Sequence, residues 1–294
     1  MWFVYVIISS LFSALYYFGN QSAKISPNVF MFYRGIVPVI VLLPFVSLFP
    51  FIGAWQFYAL CLLQGCVIAY IDNRNYQAMQ KWGAEIISSL HPFSVGVVFV
   101  VWFLLKPAEG IQLISNPLKF IGVVVTLSCI VYATASFKKD TDTKAALAYL
   151  LPFYLGAAVC DNINKLCMSY LTSEQVMAGS YYYILLTGAV IALFNFGLYL
   201  YRGGQICHLY SIQNIKYSWV LLIGICCMVS KNFAMFSVSN PSYVTAALYL
   251  YIIWIMIGGQ VLRYFGVNGT FKKVNRRKAL LLLIAAVALI LLEK

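Results

Sequence analysis

Few side chains in this sequence are able to do chemistry, and most of them fall inside or at the edge of long apolar runs. Asp161 and Lys165 lie four positions apart, with Asn162 and Asn164 between them. On a helix that spacing places acid and base on one face, acid first, which is the favourable order. A charge at the centre of a bilayer costs about 2.5–3.5 kcal/mol on insertion scales, so each one there needs a reason. Two readings of the pair stay open. Asp161 is either a proton or cation site in the polar wall of a cavity, or one half of a neutralised pair near the membrane edge. Lys231 and Asn232 sit in the middle of the run between Gly224 and Phe236. A lysine there either snorkels to a nearby interface or attracts a carboxylate-bearing solute. Arg34, seven residues into its run, either snorkels or lines the mouth of a cavity. His91 precedes Pro92. It is either a proton-responsive kink, since histidine titrates near neutrality, or a hydrogen-bonded structural residue. Tyr249 and Trp254 fit an aromatic belt at the interface, or a stacking wall for flat or cationic solutes. Tyr181, Tyr182 and Tyr183 invite the same choice. Asp72 and Arg74 close the third run, and Glu85 suits the first turn of the helix after it.

The candidate solute-binding set is therefore Arg34, His91, Asp161, Asn164, Lys165, Lys231, Asn232, Tyr249 and Trp254, with Asp161 and His91 as coupling-ion candidates. This is chemistry of recognition and protonation. The sequence has no Gly-x-Ser-x-Gly, no Asp-rich metal motif, no C-x-x-C and no P-loop, and its two histidines, His91 and His208, are on separate segments. We expect no enzyme activity, no catalytic residue, no metal and no cofactor. The alternative is a membrane-embedded transferase acting on a lipid or sugar.

The elements that must position these residues are membrane spans. The chain of 294 residues is 63% hydrophobic and 10% charged, with a mean hydropathy of +0.86, against about 25% charged residues in soluble domains. Ten apolar segments are expected, near 2–18, 28–50, 56–73, 84–105, 118–137, 145–170, 175–200, 217–238, 242–265 and 277–293. They do not alternate as barrel strands would. The net charge of +12 has no long basic stretch to concentrate it, so it is expected to meet lipid headgroups rather than nucleic acid. Seven of eight cysteines lie in the apolar runs and read as small buried hydrophobes. The first run, with no basic residue before it, is read as a retained helix. Asn268-Gly269-Thr270 fits a glycosylation pattern by chance.

The most polar stretch between runs is 138–144, which divides the chain into 1–140 and 141–294 with five segments in each. The halves echo one another. Residues 84–90 align with 242–248, Asn116-Pro117-Leu118-Lys119 with Asn275-Arg276-Arg277-Lys278, and 26–29 with 173–176. Five is odd, so two sequential copies enter the bilayer in opposite orientation. The expected fold is all-α and polytopic, with ten transmembrane helices as two inverted five-helix repeats, a pattern of transporters.

This arrangement, with Pro27 seven residues before Arg34 and short terminal spans introduced by Asn-x-x-Lys, resembles the EamA-type branch of the drug/metabolite transporter superfamily. The glycine and glutamate usual after the fourth and ninth spans read Lys106-Pro107-Ala108-Glu109-Gly110 and Arg263-Tyr264-Phe265-Gly266, the second without an acid. The resemblance implies a basket of helices around a central cavity, alternating access, and export or exchange of small organic metabolites, amino-acid-like or related. The expected partners are a small-molecule solute and membrane lipids. The expected state is a monomer or homodimer, integral to a plasma or inner membrane. The resemblance also implies that both termini are cytoplasmic. The bias of Lys and Arg toward the loops after spans one, three, five, seven and nine puts both termini outside instead.

Overall fold

The computed structural model describes residues 2–22, 27–82, 92, 94–134, 141–209, 211, 219–264 and 276–293. His91, Glu85 and the Asn268-Gly269-Thr270 pattern lie outside the described residues. The helices are α1 (Trp2–Ser22), α2 (Pro27–Leu42), α3 (Trp55–Trp82), α4 (Ser94–Leu105), α5 (Pro107–Ile114), α6 (Pro117–Thr134), α7 (Thr141–Ser169), α8 (Val176–Tyr201), α9 (Trp219–Ser237), α10 (Pro241–Leu248), α11 (Tyr251–Tyr264) and α12 (Arg276–Glu293). Short 3-10 turns follow α2 (Leu43–Leu48) and precede α8 (Ser173–Gln175).

Local chemistry sets these boundaries. Pro27, Pro107, Pro117 and Pro241 each open a helix, where the missing N–H is no loss. Asn240 caps α10 by accepting a hydrogen bond from the Ser242 amide. Thr172 and Gln175 form a capping box ahead of α8. Pro107 also ends α4, and α5 leaves at 110° to it.

Six helical stretches among the described residues are long and apolar enough to cross a bilayer: Val29–Leu48, Trp55–Arg74, Pro117–Thr134, Ser173–Tyr201, Trp219–Ser237 and Pro241–Val261. A seventh counts if the bent pair α4–α5 is one broken span. The surface is inverted relative to a soluble domain. Leu118 is 83% exposed and Leu104 76%, while Asn164, Asn195 and Asn232 are fully buried. Apolar groups facing outward over polar groups facing inward require an apolar solvent. The chain is an all-α, multi-pass integral membrane protein.

Several boundaries differ from expectation. The third segment does not end at Asn73, because α3 continues unbroken to Trp82. No glycine or proline interrupts 66–82, and the Arg74 guanidinium lies over the rings of Tyr70 and Tyr149. The polar stretch beginning at Tyr70 is thus, as far as Trp82, a helix extension. The sixth segment begins at Thr141, so residues 141–144 of the expected linker form the first turn of α7. The ninth segment is broken by a turn at Tyr249 and Leu250. The tyrosine triplet is no belt. Tyr181 donates to the Leu42 carbonyl at 2.8 Å and Tyr182 to the Phe49 carbonyl at 3.1 Å, satisfying backbone left unpaired where α2 ends.

The helices pack as a set of extensive pairs. They are α2 with α8, α1 with α9, α3 with α7, α6 with α12, α4 with α7, and α1 with both α10 and α11. The α2–α8 crossing is the tightest. A Cβ added at Gly35 would come within 2.3 Å of the Ala192 amide nitrogen and 2.6 Å of the Gly188 carbonyl oxygen. Backbone cannot yield as a side chain does. Gly35→Val is therefore expected to destabilise the protein by more than about 3 kcal/mol, beyond ordinary overpacking. Gly197→Ala, which meets nothing within 4 Å, is expected to be neutral or slightly stabilising. Thermal unfolding of the two variants in detergent, side by side, measures the difference.

Candidate functional site

Two ion pairs occupy the interior of the bundle. Arg34, in the second turn of α2, pairs with the Asp72 carboxylate of α3. Lys231 of α9 donates from Nζ to Asp161 Oδ1 of α7 at 2.6 Å. The second Asp161 oxygen accepts from the Thr245 hydroxyl of α10 at 2.7 Å. The pairs are neighbours. The Lys231 charge contributes to the electrostatic surroundings of Asp72, and all four charges contribute to those of Cys160. The side chains are 35% and 15% exposed for Arg34 and Asp72, and 18% and 14% for Lys231 and Asp161. All but Arg34 are thus largely withdrawn from solvent.

A ladder of polar contacts continues along α7 and α9. Asn164 donates from Nδ2 toward the Asn232 amide oxygen at 3.0 Å and the Tyr183 hydroxyl at 3.1 Å. One residue on, Lys165 donates to the Met235 carbonyl at 2.9 Å. Residue numbers rise together on the two helices, so α7 and α9 run parallel. The reversal at 238–240 then brings α10 back antiparallel, which delivers Thr245 to Asp161.

The expected Asp161–Lys165 pair does not form. Lys165 is buried and reaches the last turn of α9, where carbonyls lack partners within the helix. Asp161 takes its cation from another helix instead. Lys231 does not snorkel; it answers Asp161. Arg34 faces both Asp72 and a cavity of about 190 Å³ bounded by α1, α2, α3, α8 and α9, with Pro38, Thr187, Gly224 and Cys227 among its walls. A second cavity of about 250 Å³, lined by Leu42, Phe49 and Tyr181, shares Ile184 and Ile225 with it. Of the nominated residues that are described, only Arg34 lines the first cavity. Trp254 donates from Nε1 to the Ser10 hydroxyl at 2.9 Å, and Tyr249 is buried at the α10–α11 turn, so neither lies at the wall of the first cavity.

Sequence reasoning missed three members of the site. Asp72 looked like the flank of a span because it closes the third run, whereas Asp161 lies inside one. Thr245 carried a signal only in its position within the stretch that echoes the first half. Tyr183 gave none. Among the described residues, no group of three or more His, Cys, Asp or Glu side chains is placed to hold a metal ion.

No protein-family model matches the chain, and no curated protein matches it. The geometry is therefore the basis for any functional reading.

Removing one partner of a buried pair strands the other, at a cost of about 3–5 kcal/mol, whereas removing both is close to neutral. Lys231→Met is expected to destabilise within that range, and adding Asp161→Asn to the same chain is expected to restore most of the loss. A double-mutant cycle read by thermal unfolding in one detergent tests this. Additive losses would show that the two side chains do not depend on each other.

Proposed function

We propose that the protein is a secondary-active transporter of small organic metabolites, amino-acid-like or related, working as an exporter or exchanger by alternating access through the central cavity. In this reading it is an EamA-type member of the drug/metabolite transporter superfamily, in a plasma or inner membrane. Its ten spans form two inverted five-helix repeats, 1–140 and 141–294. Arg34 contacts the solute, Asp161 is the coupling group, and Lys231, Asn164, Asn232 and Lys165 hold the polar core that rearranges.

The observation that carries the reading is the pair of complementary ion pairs beside a cavity at the heart of a membrane protein. Charges that merely aid insertion have no need to meet between helices. Lys231 is bonded to Asp161 and its charge also acts on Asp72, so in this reading a movement of α9 passes it from one carboxylate to the other. Two near-equivalent arrangements are what a bistable carrier uses.

The repeat is supported by how the elements pack. Each half supplies three long helices, then a shorter one, α4 or α11, and a closing helix, α6 or α12. If each half is exchanged for the other, α2–α8 and α6–α12 map onto themselves. The α1–α9 contact becomes α7–α3, and α4–α7 becomes α11–α1. All of these pairs are present. An approximate two-fold axis between the halves is the arrangement inverted repeats produce.

Purified protein in proteoliposomes, offered a panel of labelled amino acids, oxo acids, amines and sugars, is expected to move at least one of them saturably. Lys231→Met with Asp161→Asn is expected to slow that flux tenfold or more while unfolding near the wild-type temperature. Well-folded protein that moves nothing across the panel would contradict the reading.

A further inference from the structure

We infer that the solute is a small organic monoanion with an apolar body, typified by a monocarboxylate, and that it is carried together with one proton held on Asp161. This rests on the transporter reading and assigns its substrate class and its coupling.

The cavity wall selects for charge. Among the described residues that line the cavity, Arg34 is the one charged side chain, and its charge is answered by Asp72, which is not part of the lining. A solute carboxylate finds a cation to take over there, and a cationic solute finds no carboxylate in the lining. The wall also disfavours polyols. The Ser13 hydroxyl already donates to the Ser9 carbonyl at 2.8 Å, and the Thr187 hydroxyl to the Tyr183 carbonyl at 2.6 Å. Their hydrogens are spent within their own helices, and most of the remaining lining is aliphatic, as at Ile184, Ile191 and Leu221. In size, a cavity of about 150 Å³ already admits benzene. Asp72, outside the lining, already holds the Arg34 guanidinium that the solute's carboxylate would take.

Charge balance then calls for the proton. Arg34, Lys231, Asp72 and Asp161 are together neutral. Adding a monoanion would leave a net charge in a low-dielectric interior, where it is costly. One proton from the aqueous phase onto Asp161 restores neutrality, and the contacts can follow without new groups. The solute carboxylate takes Arg34. Asp72, released, takes the Lys231 ammonium, whose charge already acts on it. Asp161 gives up Lys231 and is neutral. The Thr245 hydroxyl turns its hydrogen from Asp161 to the Pro241 carbonyl, 3.0 Å away. The groups that act on this proton are Lys231 and Thr245 directly. Around them stand Asp72 on α3, Arg34 on α2, Cys160 on α7 itself, Tyr183 on α8, Cys227 beside Lys231 on α9, and Tyr249 after α10.

The test uses benzoate, benzamide and benzylamine, which share a ring and differ in charge, added to the full-length protein in weakly buffered detergent. Benzoate is expected to raise the unfolding temperature and to draw one proton from solution per molecule bound. Benzamide and benzylamine are expected to bind at least tenfold more weakly. Arg34→Gln with Asp72→Asn, which leaves no stranded charge, is expected to lose benzoate binding at a near wild-type unfolding temperature. Asp161→Asn, which imitates the protonated acid, is expected to bind benzoate with no proton uptake. Equal binding of the three probes, benzoate binding that survives the Arg34/Asp72 double change, or wild-type binding without proton uptake would each overturn the inference. If benzoate fails to bind in a preparation that moves another solute across proteoliposomes, the substrate class is wrong and the transporter reading stands. If it fails to bind and nothing moves, both fall.

Discussion

A charge buried in a bilayer must find its opposite, and in this protein two cations and two carboxylates do so across four helices. That constraint orders the interior. Arg34 fixes α2 against α3 through Asp72, and Lys231 fixes α9 against α7 through Asp161, with Thr245 drawing in α10. The remaining packing is dispersion between apolar faces and close approach at small residues, as at Gly35 and Gly188, because lipid gives no hydrophobic drive between spans. Apolar packing alone would leave the register of α7 against α9 loosely set. The pairing of 161 with 231, 164 with 232 and 165 with the backbone at 235 sets it.

Buried ion pairs are weak contributors to stability, since desolvation offsets most of their attraction. A protein that only needed to fold could fill these four positions with aliphatic residues. Their presence beside a cavity therefore asks for a role that aliphatic residues cannot fill. Exchange of Lys231 between two carboxylates is such a role. The broken spans α4–α5 and α10–α11 are suited to it, because a helix interrupted at Pro107 or at Tyr249 and Leu250 can tilt without losing its whole ladder of hydrogen bonds.

Much of this was legible in the sequence, for reasons that differ by residue. The helical class followed from unbroken apolar runs, and helix starts at Pro27, Pro117 and Pro241 followed from proline's fixed geometry. Asp161 and Lys231 stood out because each is costly where it lies. Their mutual pairing was not legible, since 70 positions separate them and i, i+4 spacing pointed to Lys165 instead. Arg34 was recognised as ambiguous, and only the fold brings it to Asp72. The reach of α3 to Trp82 was hidden by polarity: a helix that leaves the apolar layer keeps its backbone pattern while losing the signal used to trace it.

The central claim is that the four charges, besides setting the register of the helices, serve function, and that stability does not depend on them. The most direct test is one chain carrying Arg34→Gln, Asp72→Asn, Asp161→Asn and Lys231→Met, assayed for unfolding temperature and for solute flux in proteoliposomes. The account predicts a protein as stable as wild type, or more so, that no longer moves solute. Flux at the wild-type rate from that chain would contradict it.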